Sequence, residues 1–302
     1  MSRNKATLIG LIAIVLWSTI VGLIRTVSEG FGPVGGAALI YTLSALLLLC
    51  IVGFPKISAF PRAYLIAGTL LFVSYELCLS LSLGYANTSS QAIEVGMVNY
   101  LWPGMTILFS LLADRQRVKP AVLAGLFISL TGICLVLGGD KGFSLNEIVA
   151  NVRSNPLSYG LAFSGAVIWS VYCVLTRLIA KGSNGITLFF MLTAVALWIK
   201  FSLGTQPDFT FSSGTLISLV MAAGAMGLGY AAWNTGILHG NVTILATASY
   251  FVPVISSALA AVMLHSSLSL AFWQGAGLVC LGSLVCWLAT RRNEARQVSQ
   301  TD

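Results

Sequence analysis

Charged side chains are absent from long, regular stretches of this chain. No Asp, Glu, Lys or Arg occurs from Ala6 to Ile24, Gly30 to Pro55, Val95 to Ala113, Pro120 to Gly139, Ser154 to Thr176 or Gly182 to Ile199, and none from Phe209 to Thr290. A helix crosses a hydrocarbon core with about 20 apolar residues. Each of the first six gaps therefore fits one crossing, and the last fits three, divided by turn-like breaks at Gly236 to Asn241 and His265 to Ser269. The stretch from Arg62 to Leu83 adds a tenth, with Glu76 in its middle. The expected spans are 6–27, 34–53, 62–83, 91–112, 120–138, 158–180, 185–203, 215–236, 242–263 and 270–290.

Composition excludes a soluble alternative. With 57% hydrophobic and 8% charged residues in 302, the chain has too little polar side chain to cover a water-facing surface. A membrane β-barrel would alternate apolar and polar residues in segments of about ten, whereas these stretches are continuously apolar. The expected fold class is an all-α integral membrane protein in a lipid bilayer. Arg3 and Lys5 before the first apolar run resemble a secretory leader, but the run ends at Arg25 without a small-residue cleavage site, so it reads as a retained helix.

With ten spans, Arg3, Lys5, Lys56, Arg62, Arg115, Arg117, Lys119, Arg177, Lys181, Arg291, Arg292 and Arg296 fall on one side, and only Arg25, Lys141, Arg153 and Lys200 on the other. By the positive-inside rule both termini are then cytoplasmic. The net charge of +7 is thus explained by topology, and cations scattered over short loops do not form a nucleic-acid face. The cysteines lie within the spans as packing residues, with no CxxC and no nearby His to build a metal site. His239 and His265 sit in separate loops and no catalytic constellation forms, so neither an enzyme nor a cofactor is expected. Ser144 and Glu147 have capping-box spacing, which predicts a short surface helix from Leu145.

The chain repeats internally. Offset by 152, Val15, Trp17, Ser18, Leu23, Arg25 and Gly30 meet identical residues at Val167, Trp169, Ser170, Leu175, Arg177 and Gly182. Offset by 150, Tyr100, Pro103, Gly125 and Gly132 meet Tyr250, Pro253, Gly275 and Gly282. Two copies of five helices follow: a first repeat at 1–140, a connecting loop at 141–157 on the outer (periplasmic) side, a second repeat at 158–290 and a cytoplasmic tail at 291–302. Because five is odd, the second copy enters the membrane inverted, the arrangement of secondary transporters working by alternating access.

Candidate working parts lie within the spans. Glu76 and Glu94 are costly in hydrocarbon, which points them to a cavity or a partner and makes both candidates for proton coupling. Trp17, Asn99, Tyr100, Trp102, Trp169, Tyr230, Asn234 and Tyr250, with Glu76, form an aromatic and polar set suited to a small aromatic solute. Pro103 and Pro253 interrupt the helical ladder at equivalent places and are candidate hinges. Glycine pairs such as Gly125/Gly132 and Gly275/Gly282 report close helix packing, which alone establishes no oligomer.

The paired Trp-Ser of the first and sixth spans and the paired proline motifs resemble the drug/metabolite transporter (EamA-type) superfamily over the whole chain. The run Gln91-Ala92-Ile93-Glu94-Val95-Gly96-Met97-Val98-Asn99-Tyr100-Leu101-Trp102-Pro103, with Ile14 to Thr19, resembles its bacterial aromatic amino-acid exporters. That resemblance implies an inner-membrane exporter of phenylalanine, tyrosine and tryptophan, with a selectivity that extends to other amino acids or to aromatic cations. Small four-helix relatives couple protons through a Glu in their first span. This chain has Trp17 and Ser18 there, so that role does not carry over. The alternatives are a multidrug exporter of aromatic cations and a membrane receptor or assembly protein that binds without transporting.

Overall fold

Apolar length makes the helices of this chain, and caps and prolines decide where they begin. The computed structural model describes residues 1–205 and 207–298, with their side chains other than those of 238, 242, 243 and 291–298. In order they form α1 (Arg3–Ser18), α2 (Ile20–Phe31), α3 (Pro33–Ile51), α4 (Thr69–Gly84), α5 (Ser89–Asn99), α6 (Trp102–Ala113), α7 (Pro120–Leu137), α8 (Leu145–Ser154), α9 (Pro156–Ile179), α10 (Ile186–Ser202), α11 (Ser213–His239), α12 (Val242–Ser249), α13 (Val252–Met263) and α14 (Leu270–Val298). No strand forms among the described residues. Thr88, Asn155 and Ser212 accept the Gln91, Ser158 and Thr215 amides at 3.1, 3.1 and 3.0 Å, satisfying donors orphaned at helix starts. Proline opens α3, α7 and α9, where its missing N–H costs nothing. The surface helix expected from Leu145 is α8, capped by Ser144.

Among the described residues, seven segments are long and apolar enough to cross a membrane: Pro33–Ile51, Tyr64–Gly84, Ser89–Ala113, Pro120–Leu137, Pro156–Ile179, Ser213–Ile237 and Leu270–Thr290. They match the second to sixth, eighth and tenth expected spans. The seventh is the shorter α10, of 17 residues. Large apolar side chains such as Leu70, Leu123, Phe127, Phe163 and Val220 stand exposed on these helices, the surface a multi-pass membrane protein presents to lipid. The last helix continues to Val298 where a tail was expected from 291. Arg291, Arg292 and Arg296, counted in the basic flank, have side chains outside the described residues, as does the chain end at 299–302.

The first expected span is broken: α1 and α2 meet at 42°. At the joint, the Thr19 amide and hydroxyl both turn to the Leu16 carbonyl, at 3.1 and 2.7 Å, so the ladder tightens by a residue. At offset 152 the matching position in α9 is Val171, which has no hydroxyl, and α9 runs through.

The fourth and ninth expected spans also break, between α5 and α6 and between α12 and α13. The same bonds recur at both breaks 150 residues apart. Tyr100 and Leu101 donate to Met97 and Val98 at 3.0 and 3.3 Å, and Tyr250 and Phe251 to Thr247 and Ala248 at 3.3 and 3.1 Å. The correspondence extends to the next turns, where Arg115 and His265 both take the left-handed conformation, at φ 53 and 49. Gln116 and Ser266 then bond back to Leu111 and Ala261 at 2.8 and 2.9 Å, a Schellman ending in each case.

Helices α7 and α14 pack through their glycines. Gly132 and Gly275 face each other so closely that a Cβ on either would lie 2.5 Å from the other's carbonyl oxygen, and Gly125 similarly faces Gly282. Each glycine thus meets the counterpart of its own neighbour, as antiparallel pairing of equivalent helices requires.

Candidate functional site

One cavity of about 480 Å³ occupies the middle of the helix bundle, within the range of small-molecule sites. Its wall takes Trp17 from α1, Glu76 from α4, Asn99 from α5, Trp102 from α6, Trp169 from α9, and Tyr230 and Asn234 from α11. Tyr100 and Tyr250 reach it from the two helix breaks, and Pro103 and Pro253 border it beside them. The structure therefore brings together every residue expected to bind substrate and both candidate hinges. Residues matched by the internal repeat line it together: Trp17 with Trp169, and Tyr100 with Tyr250.

The rings form two groups that meet at Tyr230, which lies 5.0 Å edge-on from Trp17 and 6.3 Å from Trp169. In one, Trp169 lies 4.4 Å from Tyr75, tilted 32°, and 5.1 Å from Tyr172 at 22°. In the other, Trp17 also meets Trp233 at 5.3 Å. Separations of this size are attractive for aromatic pairs. Behind them Phe72 packs on Tyr172, Phe189 and Tyr230 at 5.5, 5.5 and 5.8 Å, fixing the wall from outside.

Glu76 is fully buried. Tyr41 of α3 donates to its Oε2 at 2.5 Å and Tyr230 to its Oε1 at 2.8 Å, while Ser80 donates to the Tyr41 hydroxyl at 3.1 Å. A carboxylate held by two hydroxyls satisfies the rule that a buried acid needs donors. Tyr41 was missed in the sequence. Tyr41 lies about three turns before the end of α3 and Glu76 about two turns after the start of α4, and the hydrogen bond between them joins the two helices. Asn99 commits its amide nitrogen to the Ala162 carbonyl at 3.2 Å. The Asn234 side chain borders the cavity and has no hydrogen bond among the described residues, so it is open to a solute.

Glu94 lies elsewhere. Its Oε2 accepts from Asn151 at 2.7 Å and Tyr159 at 2.8 Å, tying α5 to α8 and α9 away from the cavity. It belongs to a polar clasp over that end of the bundle. Gln91 donates to Ser154 at 3.0 Å, Asn155 donates to the Tyr85 carbonyl at 2.8 Å, and the Ser90 and Ser266 hydroxyls meet at 2.6 Å. Arg25 donates to the Ala86 carbonyl at 2.6 Å beside them. The cavity extends toward the opposite end, where Thr176 of α9 and Asn184 before α10 line it. Near that end Arg177 pairs with Asp114 at 2.8 Å, half-exposed. No cluster that could hold a metal ion occurs among the described residues.

Comparison with known proteins gives one family. The model of the EamA-like transporter family matches twice, at residues 4–138 and 156–288. The aromatic amino acid exporter YddG of Escherichia coli (strain K12) is 62% identical over 292 residues, covering 97% of this chain and 100% of that protein. Its namesake in Salmonella typhimurium is 63% identical over the same share. The one in Ancylobacter novellus is 30% identical, covering 97% of this chain and all of its own. A solved crystal structure at 29% identity superposes with a TM-score of 0.68, covering 96% of this chain and 100% of that one.

Proposed function

The chain belongs to the EamA-like transporter family, and we propose that it exports aromatic amino acids, namely phenylalanine, tyrosine and tryptophan, from the cytoplasm by alternating access. The observation that carries this reading is a central cavity lined by aromatic rings, with one carboxylate and an open amide at its edge. Sequence likeness to curated aromatic amino acid exporters supports the same substrate class.

The ten-span reading adds the bent α1–α2 pair, α10 and the broken α12–α13 pair to the seven longer segments. Two inverted five-helix halves, 1–140 and 158–290 joined by 141–157, are supported by the two family matches and by the hydrogen bonds repeated at offset 150. The excess of Lys and Arg on one flank supports cytoplasmic termini, with 291–302 as a cytoplasmic tail, and the exporter relatives support a bacterial inner membrane. In that orientation the cavity faces the cytoplasm and the clasp around Gln91, Asn155 and Ser266 closes the periplasmic end.

An aromatic amino acid enters from the cytoplasm and lays its ring beside Trp17 and Trp169, near Tyr100, Trp102 and Tyr250. Its ammonium takes the Glu76 oxygen shared with Tyr230, because a cation is a stronger donor to a carboxylate than a phenol. Its carboxylate takes the amide of Asn234, with Asn99 behind. The breaks beside Pro103 and Pro253 then let α5 and α12 swing, the clasp opens and the cytoplasmic end shuts. Of the two candidate acids only Glu76 borders the cavity, so a coupled proton would ride there, and Glu94 serves the clasp. The carboxylate among aromatic rings also suits aromatic cations, the second reading.

The test is uptake of labelled phenylalanine, tryptophan and an aromatic cation into proteoliposomes, with and without an imposed pH gradient, beside protein-free liposomes. Saturable amino-acid flux without a gradient establishes a facilitative carrier, and accumulation only with the gradient establishes proton exchange. Flux of the cation alone replaces this reading with the second, and no flux by folded protein rejects both.

A further inference from the structure

The edge of the Trp17 indole lies on α11 where that helix has no side chain. A Cβ placed on Gly229 would stand 2.6 Å from Trp17 Nε1 and 2.9 Å from Cδ1, distances that force the ring to move. Both atoms belong to one rigid plate, so no flexible tip can bend away. Trp17 Nε1 is buried and has no hydrogen-bond partner, so the ring is seated by shape and not by a polar contact. Retreat along α11 is blocked on both sides, by Tyr230 at 5.0 Å and Trp233 at 5.3 Å. Tyr230 is itself tied to Glu76 at 2.8 Å. The remaining direction is into the cavity, which Trp17 lines.

Trp169, which also lines the cavity, has no such seat. It rests on Tyr75 and Tyr172 at 4.4 and 5.1 Å, ring on ring, and its position is fixed by side chains. The room left in front of Trp17 is therefore set by the depth of the notch at Gly229. We infer that Gly229 is the specificity-determining residue for ring size: its missing side chain lets Trp17 recede far enough to admit the bicyclic indole of tryptophan as well as a single ring. This deepens the aromatic export proposed above and rests on it.

The experiment is the ratio of tryptophan to phenylalanine flux in proteoliposomes, a readout that protein yield and general stability cancel from. Gly229→Ala lowers that ratio at least tenfold relative to wild type, with phenylalanine flux within about threefold. Placed on Trp17→Phe, whose smaller ring clears the added methyl, Gly229→Ala changes the ratio less than twofold. An unchanged ratio in Gly229→Ala, or an equal fall in the Trp17→Phe background, overturns the inference while leaving aromatic export intact. Wild-type protein that moves neither amino acid overturns the export reading itself, and this inference with it.

Discussion

Tyr230 of α11 and Glu76 of α4 share a 2.8 Å hydrogen bond at the edge of the cavity, while Tyr41 holds the other carboxylate oxygen from behind at 2.5 Å. The acid is therefore kept ready without being free. Its rear contact is fully buried and its front contact borders the cavity, so in the proposed export cycle the Tyr230 bond is the one exchanged for a substrate ammonium. Because α4 and α11 fall in different matched segments of the family, that exchange also loosens a link between them.

Glu76→Gln removes the charge and keeps the shape. A hydrogen bond to a charged group is worth about 1.5–3 kcal/mol, so the KM for phenylalanine rises at least ~10-fold. Glu76→Ala in addition leaves the buried Tyr41 O–H without its carboxylate acceptor, at about 1–3 kcal/mol, and lowers the melting midpoint in detergent below that of Glu76→Gln. A Gln variant with wild-type KM would take the carboxylate out of substrate binding.

Pro103→Ala and Pro253→Ala each restore an N–H facing the preceding turn. The expected result is a straighter, stiffer helix, with turnover lowered ~5–10-fold and substrate affinity nearly unchanged, about 1–1.4 kcal/mol on the barrier. Exchange rates and equilibrium binding measured on the same preparations separate the two quantities. Wild-type turnover in both variants removes the hinge role.

The Ser90 and Ser266 hydroxyls are 2.6 Å apart, close enough for a disulfide after modest adjustment. Ser90→Cys with Ser266→Cys should cross-link under mild oxidation and stop flux, and reductant should restore it. Full transport by the cross-linked protein would show that this end need not open.

Gly132→Leu places a side chain where a Cβ already meets the Gly275 carbonyl at 2.5 Å. Overpacking of this kind costs about 1–3 kcal/mol or more, seen as a lower thermal-aggregation midpoint in detergent. Gly224 has nothing within 4 Å of its Cβ position, so Gly224→Ala keeps or raises that midpoint. Equal effects of the two would contradict the α7–α14 packing.

The charge gaps were legible because lipid allows few substitutes for an uncharged run of about 20 residues, and the offset of 150 because the breaks at Tyr100 and Tyr250 are built by the same backbone bonds. The cavity residues were legible for a related reason: Asn234, Asn99 and Glu76 are costly against lipid and so had to face inward. The bend at Thr19 was not, because a threonine hydroxyl bonding its own helix is usually silent, and only the contrast with Val171 gives it meaning. Glu94 shows the limit of cost as a guide. Asn151 and Tyr159, which hold it, come from a loop helix and a distant span whose contact no local pattern announces. Gly229 was hidden for the opposite reason, since its role lies in what the Trp17 ring requires of it.

A crystal structure of the protein with phenylalanine bound decides the proposed binding mode. That mode places the ring beside Trp17 and Trp169, the ammonium within hydrogen-bonding distance of Glu76 and the Tyr230 hydroxyl displaced. Phenylalanine bound outside this cavity, or within it with Tyr230 still on Glu76 and the ammonium elsewhere, would contradict it.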